Sequence, residues 1–91
     1  MLIHEDHKHV YYKNGDEVAG EITFKPVGSK KIIIDHTHVH SDHRGEGIAE
    51  DLVYSVVERM RKEGKKIVPL CPFAKKEFER NADYQDVYSE K

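Results

Sequence analysis

Three sets of residues in this 91-residue chain have the types and spacing to do chemistry. The first is Arg44-Gly45-Glu46-Gly47-Ile48-Ala49. Two glycines one residue apart let a backbone approach a ligand closely. Where such a stretch opens a helix, unpaired N–H groups and the positive end of the helix dipole suit a phosphate. Arg44 adds a charge-assisted contact. The Gly-Lys-Ser/Thr ending of a nucleotide P-loop is missing, and so is a dinucleotide fingerprint. Gly-x-Gly alone is weakly specific, so a tight turn with an ordinary cap is the plain alternative. The second is Cys71, directly before Pro72, where a helix dipole lowers a thiol pKa and raises its thiolate fraction. The commoner role of a lone cysteine is that of a small buried hydrophobe. The third is the alternating His36, His38 and His40, whose side chains share a strand face. Histidine suits a base near neutral pH or a metal ligand. Three histidines ~7 Å apart along a strand do not converge on one ion without bending. No cysteine or carboxylate at recognisable spacing completes a set, although Asp35 and Asp42 are close in sequence, so no metal is expected. His4, His7 and His9 read as a solvated N-terminal stretch.

The elements that must position these residues are legible in outline. Val10-Tyr11-Tyr12 favours strand, and Asn14-Gly15 is a strong hairpin signal, both residues tolerating positive φ. The return strand runs from Val18 to Val27, with Val18, Gly20, Ile22 and Phe24 on one face. Lys31 to Val39 is a third strand, and its three consecutive isoleucines predict burial on both faces. Residues 48–63 have helical periodicity, with Ile48, Ala49, Leu52, Val53, Val56, Val57 and Met60 on one half. Gly64 is the expected stop. Lys66 to Leu70 is a short strand, with Pro69 marking an edge or bulge. Pro72 opens a second helix, with Phe73, Ala74 and Phe78 on its apolar side. Asn81 to Lys91 reads as a loop and a loose tail. The fold class is α/β (α+β): antiparallel strands lead into a right-handed β-α-β crossover, followed by a C-terminal helix.

Composition narrows the function classes. The length fits one domain, 1–91, with about six N-terminal and about five C-terminal residues expected to be loose. Fifteen basic against 17 acidic residues leave a net charge of −2, which argues against a nucleic-acid module driven by bulk charge. No apolar run approaches the ~20 residues of a membrane span. The first residues lack the basic and apolar regions of a signal peptide. One cysteine cannot form an internal disulfide, which suits a reducing compartment, and a cytoplasmic location is expected. A monomer is the default.

Arg-Gly-x-Gly-Ile-Ala between a strand and an amphipathic helix resembles the acetyl-CoA-binding core of the GNAT N-acetyltransferase superfamily. The family's Gln/Arg-x-x-Gly-x-Gly/Ala loop falls on Asp42-His43-Arg44-Gly45-Glu46-Gly47, with Asp42 departing from it. His36-Thr37-His38-Val39, the glycine loop, Leu52-Val53 and Pro69-Leu70-Cys71-Pro72-Phe73 resemble a minimal GNAT-like subfamily of single-domain proteins over residues 8–86. His38 stands where that subfamily often has an acidic residue.

The resemblance implies a truncated GNAT-like fold that moves acetyl from acetyl-CoA to an unidentified amine, on a small molecule or a protein. It implies coenzyme contacts at Thr37, Val39, Arg44, Gly45, Glu46, Gly47, Ile48, Ala49, Cys71, Pro72, Phe73 and Phe78. Cys71 can take the acetyl group as a thioester, and His36 or His38 can deprotonate the amine. The tyrosine acid of larger relatives falls on Phe78, which has no hydroxyl; Tyr84 or Tyr88 is a possible substitute. A coenzyme-binding module with little or no transfer is the alternative reading, and a histidine metal-binding protein is a third.

Overall fold

The computed structural model describes residues 2–6 and 9–90. Its elements are β1 (Leu2–Glu5), β2 (His9–Asn14), β3 (Glu17–Val27), β4 (Lys31–Val39), a 3-10 turn (Ser41–His43), α1 (Ile48–Glu63), β5 (Lys66–Pro69), α2 (Pro72–Arg80) and a second 3-10 segment (Ala82–Val87). The strands form one sheet in chain order, β1-β2-β3-β4-β5. The first three pairings are antiparallel and β4–β5 is parallel. A parallel pair needs a crossover, and α1 supplies it. The fold is thus the mixed α and β architecture expected, with one strand more at the N-terminal edge.

That extra strand corrects the reading of the first residues. Leu2–Glu5 pairs with Val10–Lys13, whereas Leu-Ile-His-Glu is too short to show the alternation that marks a strand. The far end is corrected too. Tyr84 and Val87 are buried, Tyr88 bridges to Ile67, and the Ser89 N–H donates to the Ile67 carbonyl at 2.8 Å. The segment covers the outer edge of β5, which would otherwise be exposed to other chains. Arg61 of α1 fastens it, donating to both carboxylate oxygens of Asp86 at 2.7 and 2.9 Å and to the Asp83 carbonyl.

α1 spans the predicted residues. Ile48, Leu52, Val53, Val56, Val57 and Met60 are all buried. They join Val10, Ala19, Ile22, Phe24, Ile32, Ile34, Ile67, Ala74 and Phe78 in one core. α1 and α2 touch each other and share that core, so both lie on one face of the sheet. Gly64 ends α1 with φ 69°, its N–H bonding back to the last turn. No helix of the described residues is long and apolar enough to cross a membrane.

Two bulges break the simple alternation. Tyr12 pairs with Gly20, but Lys13 pairs with Val18, which leaves Ala19 extra in β3. Ala19 is therefore buried while Val18 is 40% exposed, against the expected inward position of Val18. The hairpin loop is Gly15-Asp16, with positive φ at Gly15 alone, where the sequence centred it on Asn14-Gly15. In β4, Thr23 pairs with His36 but Phe24 with Ile34, so Asp35 is the extra residue. Ile33 is only half-buried, because no helix of the described residues covers its face; the expectation of burial on both faces fails there.

Gly20 sits where α1 comes closest to the sheet. A Cβ there would lie 2.8 Å from Ile48 Cγ2 and 3.2 Å from the His38 carbonyl oxygen. Ile48 is buried in the core, and the His38 carbonyl on the other side is backbone, so the space is not easily made. Gly20→Ala is expected to destabilise the fold by about 1–3 kcal/mol through overpacking. Urea unfolding midpoints check this, and an unchanged midpoint would mean that the helix start gives way freely.

Candidate functional site

β4 outlasts β5. Their last paired residues are Ile34 and Pro69. The Leu70 and Cys71 N–H groups then both donate to the Ile34 carbonyl, at 3.1 and 3.2 Å, and the chain turns into α2. Residues 35–39 continue with β3 as their only strand partner among the described residues. The two strands therefore part, leaving one side of the β4 backbone without a ladder.

The bulge at Asp35 decides which side chains face the gap. Thr37 pairs with buried Ile22 and Val39 with Gly20, so both lie on the helix side of the sheet. His36 and His38 pair with Thr23 and Glu21 and are exposed on the opposite face. Asp35 accepts a 2.6 Å hydrogen bond from the Thr23 hydroxyl, and Lys25 lies 3.7 Å away. Burial pushes the Asp35 pKa up, but the Thr23 bond, a backbone bond and Lys25 together hold it below the usual carboxylate range.

Arg44-Gly45-Glu46-Gly47 links the 3-10 turn to α1. Gly45 and Gly47 have φ of 85° and 80°. A Cβ on either would meet nothing within 4 Å, so bare backbone borders open space. Gly47 is the N-cap of α1, and no side chain caps the helix. The first intrahelical bond runs from Asp51 N–H to the Gly47 carbonyl at 3.1 Å. The N–H groups of Ile48, Ala49 and Glu50 thus have no partner within the helix.

A cavity of about 430 Å³ opens here, within the range of small-ligand sites. It is lined by Thr37, Val39, His43, Arg44, Gly45, Gly47, Ile48, Ala49, Glu50 and Phe73. Eight of the residues expected to contact a ligand thus come together. Four do not line it. Glu46 turns to His43, its carboxylate 3.3 Å from Nδ1. Pro72 is exposed at the start of α2. Phe78 is buried in the core, edge-on to Tyr84 at 5.4 Å. Cys71 lies behind Thr37, its thiol 3.5 Å from the Thr37 hydroxyl. His36, His38, Tyr84 and Tyr88 also lie outside the lining. His43 and Glu50 were missed; their adjacency to Arg44 and Ala49 was the one signal for them.

Cys71 is the N-cap of α2 and 7% exposed. Burial pushes its thiol pKa up. Hydrogen bonding to the Thr37 hydroxyl and to backbone groups of Ala74, Phe73 and Thr37 outweighs this, and the net pKa is lowered. The arrangement combines a helix start with backbone N–H groups free of helix partners, a strand edge without a ladder among the described residues, and a buried thiol whose pKa is lowered.

A family model described as GCN5-related N-acetyl-transferase matches residues 9–87. The solution structure of a GCN5-like protein from Staphylococcus aureus is 35% identical, with a TM-score of 0.81 over 97% of this chain and 87% of that one. A ribosomal-protein-alanine N-acetyltransferase from Brucella melitensis is 26% identical, with a TM-score of 0.64 over 79% of this chain and 60% of that one. Rv2747 from Mycobacterium tuberculosis, solved in complex with CoA, is 19% identical, with a TM-score of 0.66 over 80% of this chain and 46% of that one. The last shares the fold alone, and the present chain spans less than two thirds of either of these two longer proteins. No curated protein matches the chain.

Two predictions follow from the local geometry. Gly47→Ala forces an L-residue into the left-handed region and is expected to cost about 1–2 kcal/mol through backbone strain alone, since the Cβ itself has room; thermal unfolding measures it. A lowered thiol pKa means more thiolate at neutral pH. Alkylation of Cys71 followed against pH should therefore have its midpoint below that of an ordinary thiol. Thr37→Val should move the midpoint up, and an unmoved midpoint would leave Thr37 without influence on the thiol.

Proposed function

The chain belongs to the GCN5-related N-acetyl-transferase family, and from this premise we propose that it binds acetyl-CoA in the cavity at the start of α1 and transfers the acetyl group to an amine. The observation that carries this reading is the parting of β4 and β5 beside an uncapped, glycine-led helix start. The N–H groups of Gly45 to Ala49 hold the pyrophosphate, and Arg44 adds a cation. Glu50 works against anion binding at the rim, so Arg44 has a charge to offset as well as one to attract. The pantetheine amides bond to the β4 backbone at Thr37–Val39, where β5 no longer occupies its edge. Phe73 gives the arm an apolar wall. Glu46, Pro72 and Phe78 support this site from outside the cavity lining. Residues 1–91 act as one such domain, of the minimal subfamily with the Leu70-Cys71-Pro72-Phe73 motif, in a reducing cytoplasm.

Coenzyme on the helix side leaves the uncovered sheet face for the acceptor. His36 and His38 lie on that face and serve there as the bases that free an ammonium of its proton. Two routes are open to the acetyl group. In direct transfer the neutral amine attacks the thioester carbonyl, the C–S bond breaks and CoA leaves as a thiolate that takes up a proton. In the covalent route the Cys71 thiolate attacks first, CoA leaves, and the amine then attacks acetyl-Cys71 and restores the thiol. The lowered thiol pKa and the Thr37 contact favour the second. A domain that holds the coenzyme with little transfer is the alternative, favoured by the absence of Tyr84 and Tyr88 from the cavity lining. The acceptor is a small molecule or a protein amine.

Calorimetric titration of untagged protein with acetyl-CoA and CoA tests this. One saturable site is expected for each, weakened roughly tenfold by Arg44→Ala through loss of a charge-assisted contact. Intact mass after incubation with acetyl-CoA should gain one acetyl group, absent in Cys71→Ala. Folded protein that binds neither ligand would end the acetyltransferase reading. Binding with no acetyl adduct and no transfer to pooled amines would leave the binding module.

A further inference from the structure

We propose that Glu17, His40 and Asp42 form a surface site for a zinc-type divalent cation. The three side chains come from separate segments: Glu17 opens β3, His40 follows β4, and Asp42 belongs to the first 3-10 turn. Each offers one ligand atom, and the three atoms lie within 4.8 Å of one another. In pairs, His40 Nε2 is 3.5 Å from Glu17 Oε1, and Nδ1 is 3.8 Å from Asp42 Oδ2. Glu17 and Asp42 lie beside opposite ring nitrogens, and one ion takes a single nitrogen; ligands around a tetrahedral ion at ~2.1 Å sit about 3.4 Å apart, so the carboxylate beside the other nitrogen swings inward to close the set. Their side chains are 43–79% exposed, which leaves that swing free. The backbone under the imidazole is fixed, because the His40 N–H donates to the carbonyl of bulged Ala19 at 2.8 Å.

The donor chemistry selects the ion. One imidazole with two carboxylates suits zinc better than magnesium or calcium, which take oxygen ligands. Two carboxylates also neutralise a dication, and the remaining positions are open to water. Sequence spacing shows only the His40–Asp42 half of the set, because Glu17 comes from the start of β3.

Cation binding reaches the neighbouring loop. His40 Nδ1 accepts the Asp42 N–H at 3.2 Å and so caps the turn that leads to Arg44. An imidazole accepting at Nδ1 carries its hydrogen on Nε2. An ion on Nε2 drives that hydrogen to Nδ1, where it faces the Asp42 N–H, and an ion on Nδ1 displaces that N–H outright. Either way the cap bond is lost and the segment entering Arg44–Gly47 is loosened. His43, edge-on to His40 at 6.2 Å, lines the cavity and lies in the same turn. This coupling rests on the coenzyme reading above; the cation site does not.

Titration of untagged protein with zinc chloride at pH 7.5, followed by calorimetry, is the test. One saturable site is expected, with magnesium giving no heat. Glu17→Gln, His40→Asn and Asp42→Asn should each weaken zinc at least tenfold, and His9→Asn should not. Absence of saturable zinc binding, or binding that survives all three substitutions, overturns the site. With zinc saturating, acetyl-CoA affinity should fall several-fold in the natural chain and stay constant in Asp42→Asn. Unchanged affinity in both overturns the coupling. Failure of acetyl-CoA to bind at all would instead count against the coenzyme reading, with the zinc titration still deciding the site.

Discussion

The Ile34 carbonyl accepts two N–H groups, from Leu70 and Cys71, and the rest of the site depends on this. A parallel ladder continues only while both strands remain extended. Here the double bond ends β5 and starts α2 within two residues, while β4 runs on. One act of hydrogen bonding therefore leaves a strand edge without a ladder, sets a thiol at a helix N-cap and puts Phe73 beside the glycine loop. Pro72 fits this turn because the first helical position needs no N–H bond within the helix. The residues 69–73 act together in making this turn.

The bulges set the handedness of that arrangement. Side chains along a strand alternate, so one extra residue exchanges the faces of everything beyond it. Asp35 does this in β4. Before it, Ile32 and Ile34 face the core; after it, Thr37 and Val39 do. Without the bulge, His36 and His38 would face the helix side of the sheet and Thr37 would not reach Cys71. Asp35 itself is held by Thr23 and Lys25 on the uncovered face, so the residue that causes the exchange is tied to its own side of the sheet.

This explains what was legible in the sequence. The bounds and buried stripe of α1 could be read because helical periodicity is local and Gly64 ends it. The glycine loop could be read because positive φ and close approach demand a particular residue. Arg44, Gly45, Gly47, Ile48, Ala49 and Phe73 of the cavity lining fall on these two features and the stretch 69–73, while Thr37 and Val39 come from the family resemblance. Bulges carry no such mark: Ala19 and Asp35 are ordinary residues in strands, and their effect depends on the partner strand's register. Val18 is read onto the wrong face for that reason. The C-terminal segment was illegible for another reason. Its polar residues are bound by distant groups, with Arg61 and Lys66 holding the segment around Asp86, and no local pattern announces such contacts.

The strand order carries one more consequence, for the route by which the molecule assembles. Every strand lies beside its neighbour in the chain, so each antiparallel pairing closes a short loop and β1 to β4 can zip together by successive hairpins. Short loop closures have small entropic barriers, and topologies rich in them fold fast. The one long closure is the passage from β4 through α1 to β5. The parting of the strands exists only after that passage is complete. The local hairpins can therefore form without the site, whose geometry needs the long β4–α1–β5 closure.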